Sequence, residues 1–511
     1  MTNAPEPPGT PRDEDLHRKL AGRSVTNVLG ALAKGLYPLY VLIATRIFGA
    51  DAAGLLLLAL GVVRFTSGLV GAGYKSGIVM YGGRYLGRDD ARFMDAIANG
   101  LWAVLFVSAA VVGALWSFGD ALVAWYNPEY AAAGLDRVLL LAALALPLLG
   151  AAEMAIAALG AGLRMRYDAL VMGLARPLLL VVCTVAAAFV DRSPAGLAAA
   201  FAVAHGGVFV LAWMAFARHH RLTDLAGRIV RPRFDAALFR YALPQSLNMT
   251  FNYFMADVDL FMLGGFGVGQ AQLALYGIGA QVVRNIRQVK LAIGGAYAPV
   301  AARLVHDGEH ARLADVTGML SRWALLVAIP LAVLVLGLRA EILAIFHPSF
   351  YDPEAADFML YLVTIPLLSC GLGLAGNLVT MAGKSHLNLA NAVIGGVTNV
   401  LLDLVLIPRM GLAGAALASL LASVGVSLAQ VVEARRIVGV PLSPRPLVAP
   451  ATAGLLSGLV LWASFAVPTA LPPLAGHAMG VGAALLVYVL VLRALGLEAR
   501  DLAAFRRPEL G

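Results

Sequence analysis

The chain has 511 residues, of which 60% are hydrophobic and only 13% charged, a balance outside the range of soluble globular proteins. Its net charge of +8 is scattered over short polar breaks between apolar runs, which argues against a nucleic-acid partner. Two cysteines, Cys183 and Cys370, both inside apolar runs, offer neither a disulfide framework nor a thiolate metal site.

Residues 1–22 are polar, contain Pro5, Pro7, Pro8 and Pro11, and lack the apolar core of a cleavable signal, so a disordered cytosolic tail is expected. Fourteen apolar stretches follow, near 25–48, 53–81, 95–116, 137–160, 168–190, 194–217, 242–265, 271–301, 316–338, 356–382, 387–408, 411–434, 447–468 and 474–495. About 20 residues of helix cross roughly 30 Å of hydrocarbon, and these runs are unbroken rather than alternating, which excludes a barrel. The predicted fold is therefore an all-α polytopic membrane protein. Its 54 glycines suit close helix crossings in lipid.

With the N-terminal tail placed inside, inner segments carry about 25 of the 38 Lys and Arg, whereas the outer ones hold only Arg46, Arg137, Arg192, Arg339 and Arg409. Both termini are thus expected in the cytoplasm. The most basic inner segment, RHHRLTDLAGRIVRPRFDAALFRY at 218–241, reads as a cytosolic linker lying against anionic headgroups. It separates an N-lobe at 23–217 from a C-lobe at 242–436, followed by two further spans at 447–496 and a cytosolic tail at 497–511. GLLLLALGVVR at 54–64 aligns with ALYGIGAQVVR at 274–284, placing Arg64 on Arg284, and GLAAAFA from Gly196 aligns with GLAGAAL from Gly411. Six spans per half give the two lobes one orientation, a parallel repeat of the kind that encloses a cavity and rocks about it.

Charges inside lipid cost at least about 2.5–3.5 kcal/mol, so they face a cavity or a partner. Lys34, Arg64, Arg284 and Arg287 lie too deep in their spans to snorkel. One reading is a cationic pocket for phosphate oxygens, matched by the paired donors of guanidinium; another is structural pairing with Glu153, Asp257 or Asp259, which could instead carry a coupling proton. Lys75, Lys290 and Arg322 lie nearer the cytoplasmic ends, where snorkelling explains them. Arg176 precedes Pro177, a predicted kink. Asn248, Asn252, Asn377, Asn391 and Asn399 are expected to form interhelical hydrogen bonds.

GLVGAGYKSG from Gly68 is no phosphate loop, because Tyr74 stands before Lys75. His219 and His220 point to different sides of any helix and suggest no metal. No cofactor is implied. The outer segments near 117–136 and 339–355 are too short for saccharide chemistry, so an enzyme is not expected.

RIFGADAAGLLLLAL, DVDLFMLGGFGVGQAQLALYGIG, ILAIFHPSFYD and above all NAVIGGVTNVLLDLVLIPRMGLAGAALAS resemble the bacterial polysaccharide-export and oligosaccharide-flippase family of the multidrug, oligosaccharidyl-lipid and polysaccharide exporter superfamily. The resemblance implies a two-lobed bundle in the inner membrane. It also implies alternating-access export of an undecaprenyl-pyrophosphate-linked oligosaccharide, with membrane lipids and glycan-assembly proteins such as a polymerase as partners. Similarity to lipid II flippases further implies that Lys34, Arg64 and Arg284 or Arg287 meet the pyrophosphate, and that the last two spans help form a groove for the lipid tail. Two rival readings are a cation-coupled multidrug exporter of the same superfamily and a non-transporting scaffold in a glycan-assembly complex.

Overall fold

The computed structural model describes residues 37–466 and 472–495. Lys34 and both tails lie outside them. The described chain is helical throughout, with no strand, and divides into two compact units, Met1–Ala274 and Leu275–Gly511. Among the described residues, eleven helices are long and apolar enough to cross a membrane. The expected spans at 25–48, 242–265 and 271–301 are not among them: of the first only Tyr37–Phe48 is described, a shorter apolar helix, and the other two carry Asp257, Asp259, Arg284 and Arg287. Charged side chains on a helix lower its hydropathy where they raise its chemical interest.

The first unit opens with α1 (Tyr37–Phe48) and α2 (Ala50–Ser67), which runs through a π turn, Gly68–Ala72, into α3 (Gly73–Tyr85). Next come α4 (Asp90–Tyr126), α5 (Pro128–Ala132), α6 (Leu135–Ala143) and α7 (Ala145–Ala161). A second π turn, Asp168–Ala175, leads into α8 (Arg176–Ala187), then α9 (Pro194–Ala217), a short α10 (Leu222–Val230) and α11 (Ala236–Gly265). Side chains cap several starts: Asp89 accepts from Arg92 N, Ser193 from Gly196 N, and Asp235 from both Ala237 N and Leu238 N. The kink expected at Pro177 takes the form of the π turn just before it, since proline supplies no amide for the helical ladder.

Glycines set the register between α2–α3 and α11. A Cβ on Gly73 would overlap Ala242 O, one on Gly68 would lie 2.7 Å from Thr250 Cα, and one on Gly61 3.0 Å from Phe261. These contacts run in opposite chain directions, so the two segments are antiparallel and their backbones nearly touch. Gly73 N, near the π turn, donates to Ser246 Oγ at 3.0 Å. At the far end of α11, Tyr126 Oη donates to Phe261 O at 2.6 Å and Asn127 Nδ2 to Gly264 O at 2.9 Å, tying α11 to the end of α4. At the near end, Asn99 Nδ2 donates to Arg233 O at 2.7 Å. Held at both ends, α11 has one register against its neighbours.

The division between units falls within α12 (Gln270–Arg284). The second unit continues through a 3-10 turn, Asn285–Arg287, into α13 (Gln288–His306), α14 (His310–Gly337), α15 (Arg339–Phe346), α16 (Phe358–Leu372) and α17 (Leu374–Met381). It ends with α18 (Ser385–Met410), α19 (Leu412–Arg436), α20 (Arg445–Ala466) and α21 (Pro473–Ala494). Cys183, in the first unit, is partly accessible, and Cys370, in the second, is fully buried; both are free thiols.

Candidate functional site

The glycine seam places Arg64 of α2 opposite Asp257 of α11. Arg64 Nη2 donates to Asp257 Oδ1 at 2.9 Å, with the aspartate side chain 1% exposed and the arginine 38%. Arg64 opens into a cavity of about 460 Å³ inside the first unit, bounded by α1, α2, α3, α7, the π turn, α8, α9 and α11. Its charged lining consists of Arg64, Lys75 and Arg176 against Glu153 and Asp168. Lys75 Nζ stands 3.9 Å from Glu153 Oε1, a distance at which attraction is weak. Lys75 thus sits in the cavity wall, where sequence position had suggested snorkelling.

Arg176 differs from the other two cations. Among the described residues it has no carboxylate within ion-pairing distance, and its Nε is buried without an acceptor. It sits where the π turn meets α8, beside Pro177, and the irregular backbone aims the side chain inward. The sequence showed the proline but not the destination of the arginine. A guanidinium one residue before a mid-span proline was the available signal.

The remaining expected residues are distributed more widely. Asp259 is half-buried on α11, two positions beyond Asp257 and so on another face. Arg284 and Arg287 belong to the second unit, one at the end of α12 and the other in the 3-10 turn, half-buried and exposed respectively. Lys290 reaches α16's C-terminal end, where a Cβ on Gly373 would lie 2.5 Å from its Nζ. Asn391 Nδ2 donates across to Glu433 at 2.8 Å, an interhelical bond as expected, whereas Asn252 Nδ2 bonds Asn248 O within its own helix at 2.7 Å. Asp403, which sequence reasoning passed over, is fully buried in α18, and Asn399 Nδ2 donates to its Oδ2 at 3.3 Å. Among the described residues no three His, Cys, Asp or Glu side chains group as a metal site.

The second unit holds a larger recess of about 1010 Å³ between α14, α16 and α20. Its wall is apolar, formed by Leu360, Leu367, Leu455, Leu459 and Trp462, and Gly458 leaves room along α20. One ion pair marks an end: Arg339 Nη2 donates to Asp357 Oδ1 at 2.7 Å, its guanidinium 4.9 Å from the Phe465 ring centre.

A helical membrane protein with these features shares its fold with transporters of the MOP superfamily. The structure is similar to a lipid II flippase, MurJ, in an inward closed conformation, at 12% identity over 94% of this chain and 99% of that one, with a TM-score of 0.66. It is also similar to a MATE multidrug transporter, DinF-BH, at 17% identity over 83% of this chain and 96% of that one, with a TM-score of 0.56. A MOP superfamily transporter from Pyrococcus furiosus aligns at 15% identity over 81% of this chain and 94% of that one, with a TM-score of 0.51. No curated protein sequence matches significantly. The chain belongs to the polysaccharide biosynthesis protein family, whose profile matches residues 43–354, more than half its length.

Proposed function

We propose that this protein is a flippase that moves an undecaprenyl-pyrophosphate-linked oligosaccharide from the cytoplasmic to the outer leaflet by alternating access, in cell-surface polysaccharide biosynthesis. The observation that carries the reading is the charged cavity among the helices of the first unit, where Arg176 is a cation without a carboxylate partner among the described residues. A half-buried guanidinium suits pyrophosphate, offering paired donors to paired oxygens. The apolar recess along α20 supports the same reading, since a polyprenyl tail needs a hydrocarbon-lined path. Family membership and the fold shared with a lipid II flippase are consistent with it. In this account the protein lies in the inner membrane with both termini cytoplasmic, and its lobes, at 23–217 and 242–436, rock about the cargo. Lys34, Arg64, Arg284 and Arg287 join Arg176 in meeting the pyrophosphate at successive stages. Glycan-assembly proteins would receive the product.

The Arg64–Asp257 bond favours a second reading for Arg64 alone, as a structural strut. Export complementation in cells lacking their own flippase separates the two at matched membrane abundance. Arg176→Glu and Arg284→Glu are expected to abolish rescue. Full rescue by both would overturn the flippase pocket. For Arg64, the exchange of Arg64→Asp with Asp257→Arg should restore abundance; restored export as well would make the pair a strut.

A further inference from the structure

A second polar pocket, of about 510 Å³, lies in the first unit between the start of α4, the turn after α7 and the linker that begins at the end of α9. Its charged lining is Arg164, Arg221 and Arg228 with Asp90 and Asp224, and His219 and His220 complete the polar wall. Arg228 is occupied by Asp95. Arg164 and Arg221 have no ion pair among the described residues, so the pocket holds two unspent guanidinium groups. Desolvation and the positive charges of Arg164, Arg166 and Arg218 hold His219 below the usual imidazole value, and desolvation with Arg164 and His219 does the same for His220. Arg164 is the charge common to both shifts, after desolvation.

The turn that presents Arg164 is strained for the purpose. Leu163 has φ of 58°, the left-handed region that favours glycine, and it is the sole non-glycine residue there among those described. Arg164 N donates to Leu159 O at 3.0 Å, closing the end of α7, and a Cβ on Gly162 would lie 3.3 Å from Arg164 Nη1. Glycine at 162 therefore clears space for the guanidinium. The Leu163 side chain, 67% exposed, is directed outward.

What surrounds the pocket indicates its depth. The linker helix α10 buries only Leu225, while Leu222 and Val230, and Phe234 beyond it, are exposed. Trp102 of α4, itself partly exposed, donates from Nε1 to Ile229 O at 3.0 Å. Exposed Leu222 and Val230 on a short helix, with Phe234 after it and Arg221, Arg231 and Arg233 flanking it, held by an indole, make the pattern of a segment lying at the boundary between headgroups and acyl chains. The pocket opens at that level.

We propose that this pocket holds the headgroup of an anionic phospholipid from the adjoining leaflet, with its phosphate on Arg164 and Arg221 and its hydroxyls on Asp90 and Asp224. The mixed lining fits phosphatidylglycerol chemistry, in which one phosphate is joined to a polyol: guanidinium takes the anion and carboxylate accepts from the hydroxyls. Zwitterionic phosphatidylcholine carries the phosphate with a quaternary ammonium that donates no hydrogen bond. The site stands independently of the transport reading and concerns different residues.

The test uses full-length protein in detergent, with retained lipid counted by native mass spectrometry after incubation with equal phosphatidylglycerol and phosphatidylcholine. Wild type should retain phosphatidylglycerol about fivefold over phosphatidylcholine, and Arg164→Gln with Arg221→Gln should bring the ratio near one, as expected for losing two charge-assisted contacts. Arg92→Gln, whose partner is Asp89, should keep the wild-type ratio. Leu163→Gly relaxes the turn and frees Arg164, so it should lower the ratio while the melting temperature holds or rises, an outcome that misfolding could not give. An unchanged ratio in the double variant would overturn the proposal. Displacement of the lipid by millimolar glycerol phosphate would overturn its lipid source in favour of a soluble phosphate ester.

Discussion

The charged cavity of the first unit and the apolar recess of the second differ in how their walls are made. Around the cavity, backbones meet at glycine, and polar groups are fixed by helices that cannot slip: Gly73 against Ala242 sets α3, and Arg64 against Asp257 sets α2. Around the recess, side chains of Leu, Trp and Phe form a wall with spare volume and one ion pair at its end. Recognition of a charged group needs fixed donors, because a misplaced guanidinium in a low-dielectric site loses its hydrogen bonds and keeps its desolvation cost. Accommodation of a flexible hydrocarbon needs area and tolerates disorder. The two walls thus suit different chemistry, an anionic group in the first unit and an apolar chain in the second.

The largest expected effect breaks the cavity and spares the recess. Gly73→Leu drives a side chain into the Ala242 carbonyl, and overpacking of this kind costs roughly 1–3 kcal/mol or more, so membrane abundance and melting temperature should both fall. Next, Asp257→Ala leaves Arg64 without its carboxylate. Because Arg64 keeps 38% exposure, the loss should be about 1–2 kcal/mol, less than for a fully buried pair, and readable as a lowered melting temperature. The contrast sharpens with Gly458→Phe on α20. A Cβ there meets nothing within 4 Å, so the ring should enter the recess, leave the melting temperature unchanged and reduce export in the complementation assay. Normal export would separate the recess from the transport path.

The smallest effect is one of pH. His219 and His220 are held below the usual value near 6.5, so the folded protein binds fewer protons than the unfolded chain as pH falls through that value. Stability should therefore be fully present above about pH 7 and decline on acidification through 6.5. Melting curves between pH 8 and 5.5 check this, and the double substitution His219→Gln with His220→Gln should flatten the slope. A slope unchanged by the double variant would assign the dependence to other groups.

Helical, membrane-spanning architecture was legible in the sequence because unbroken apolar runs permit little else. The convergence of Arg64 and Asp257 was legible only as one of two alternatives, since 193 residues separate them and nothing in either segment names its partner. The glycines that bring α3 and α11 together could be counted but not paired: a glycine marks a close approach without saying to what. Arg176 was visible as a kink position and missed as a cavity residue because its direction depends on the π turn, a backbone irregularity with no fixed sequence signature. Asp403 was missed for a different reason. It sits in an apolar run whose average hides one carboxylate, and only its complete burial draws notice.

With only two thiols, one in each unit, the native chain carries its own pair of chemical reporters. A maleimide should find Cys183 first, because Cys370 has no accessible surface and must wait for α16 to part from its surroundings. The labelling rate at Cys370, followed without a single substitution, is thus a stopwatch for the opening of the second unit.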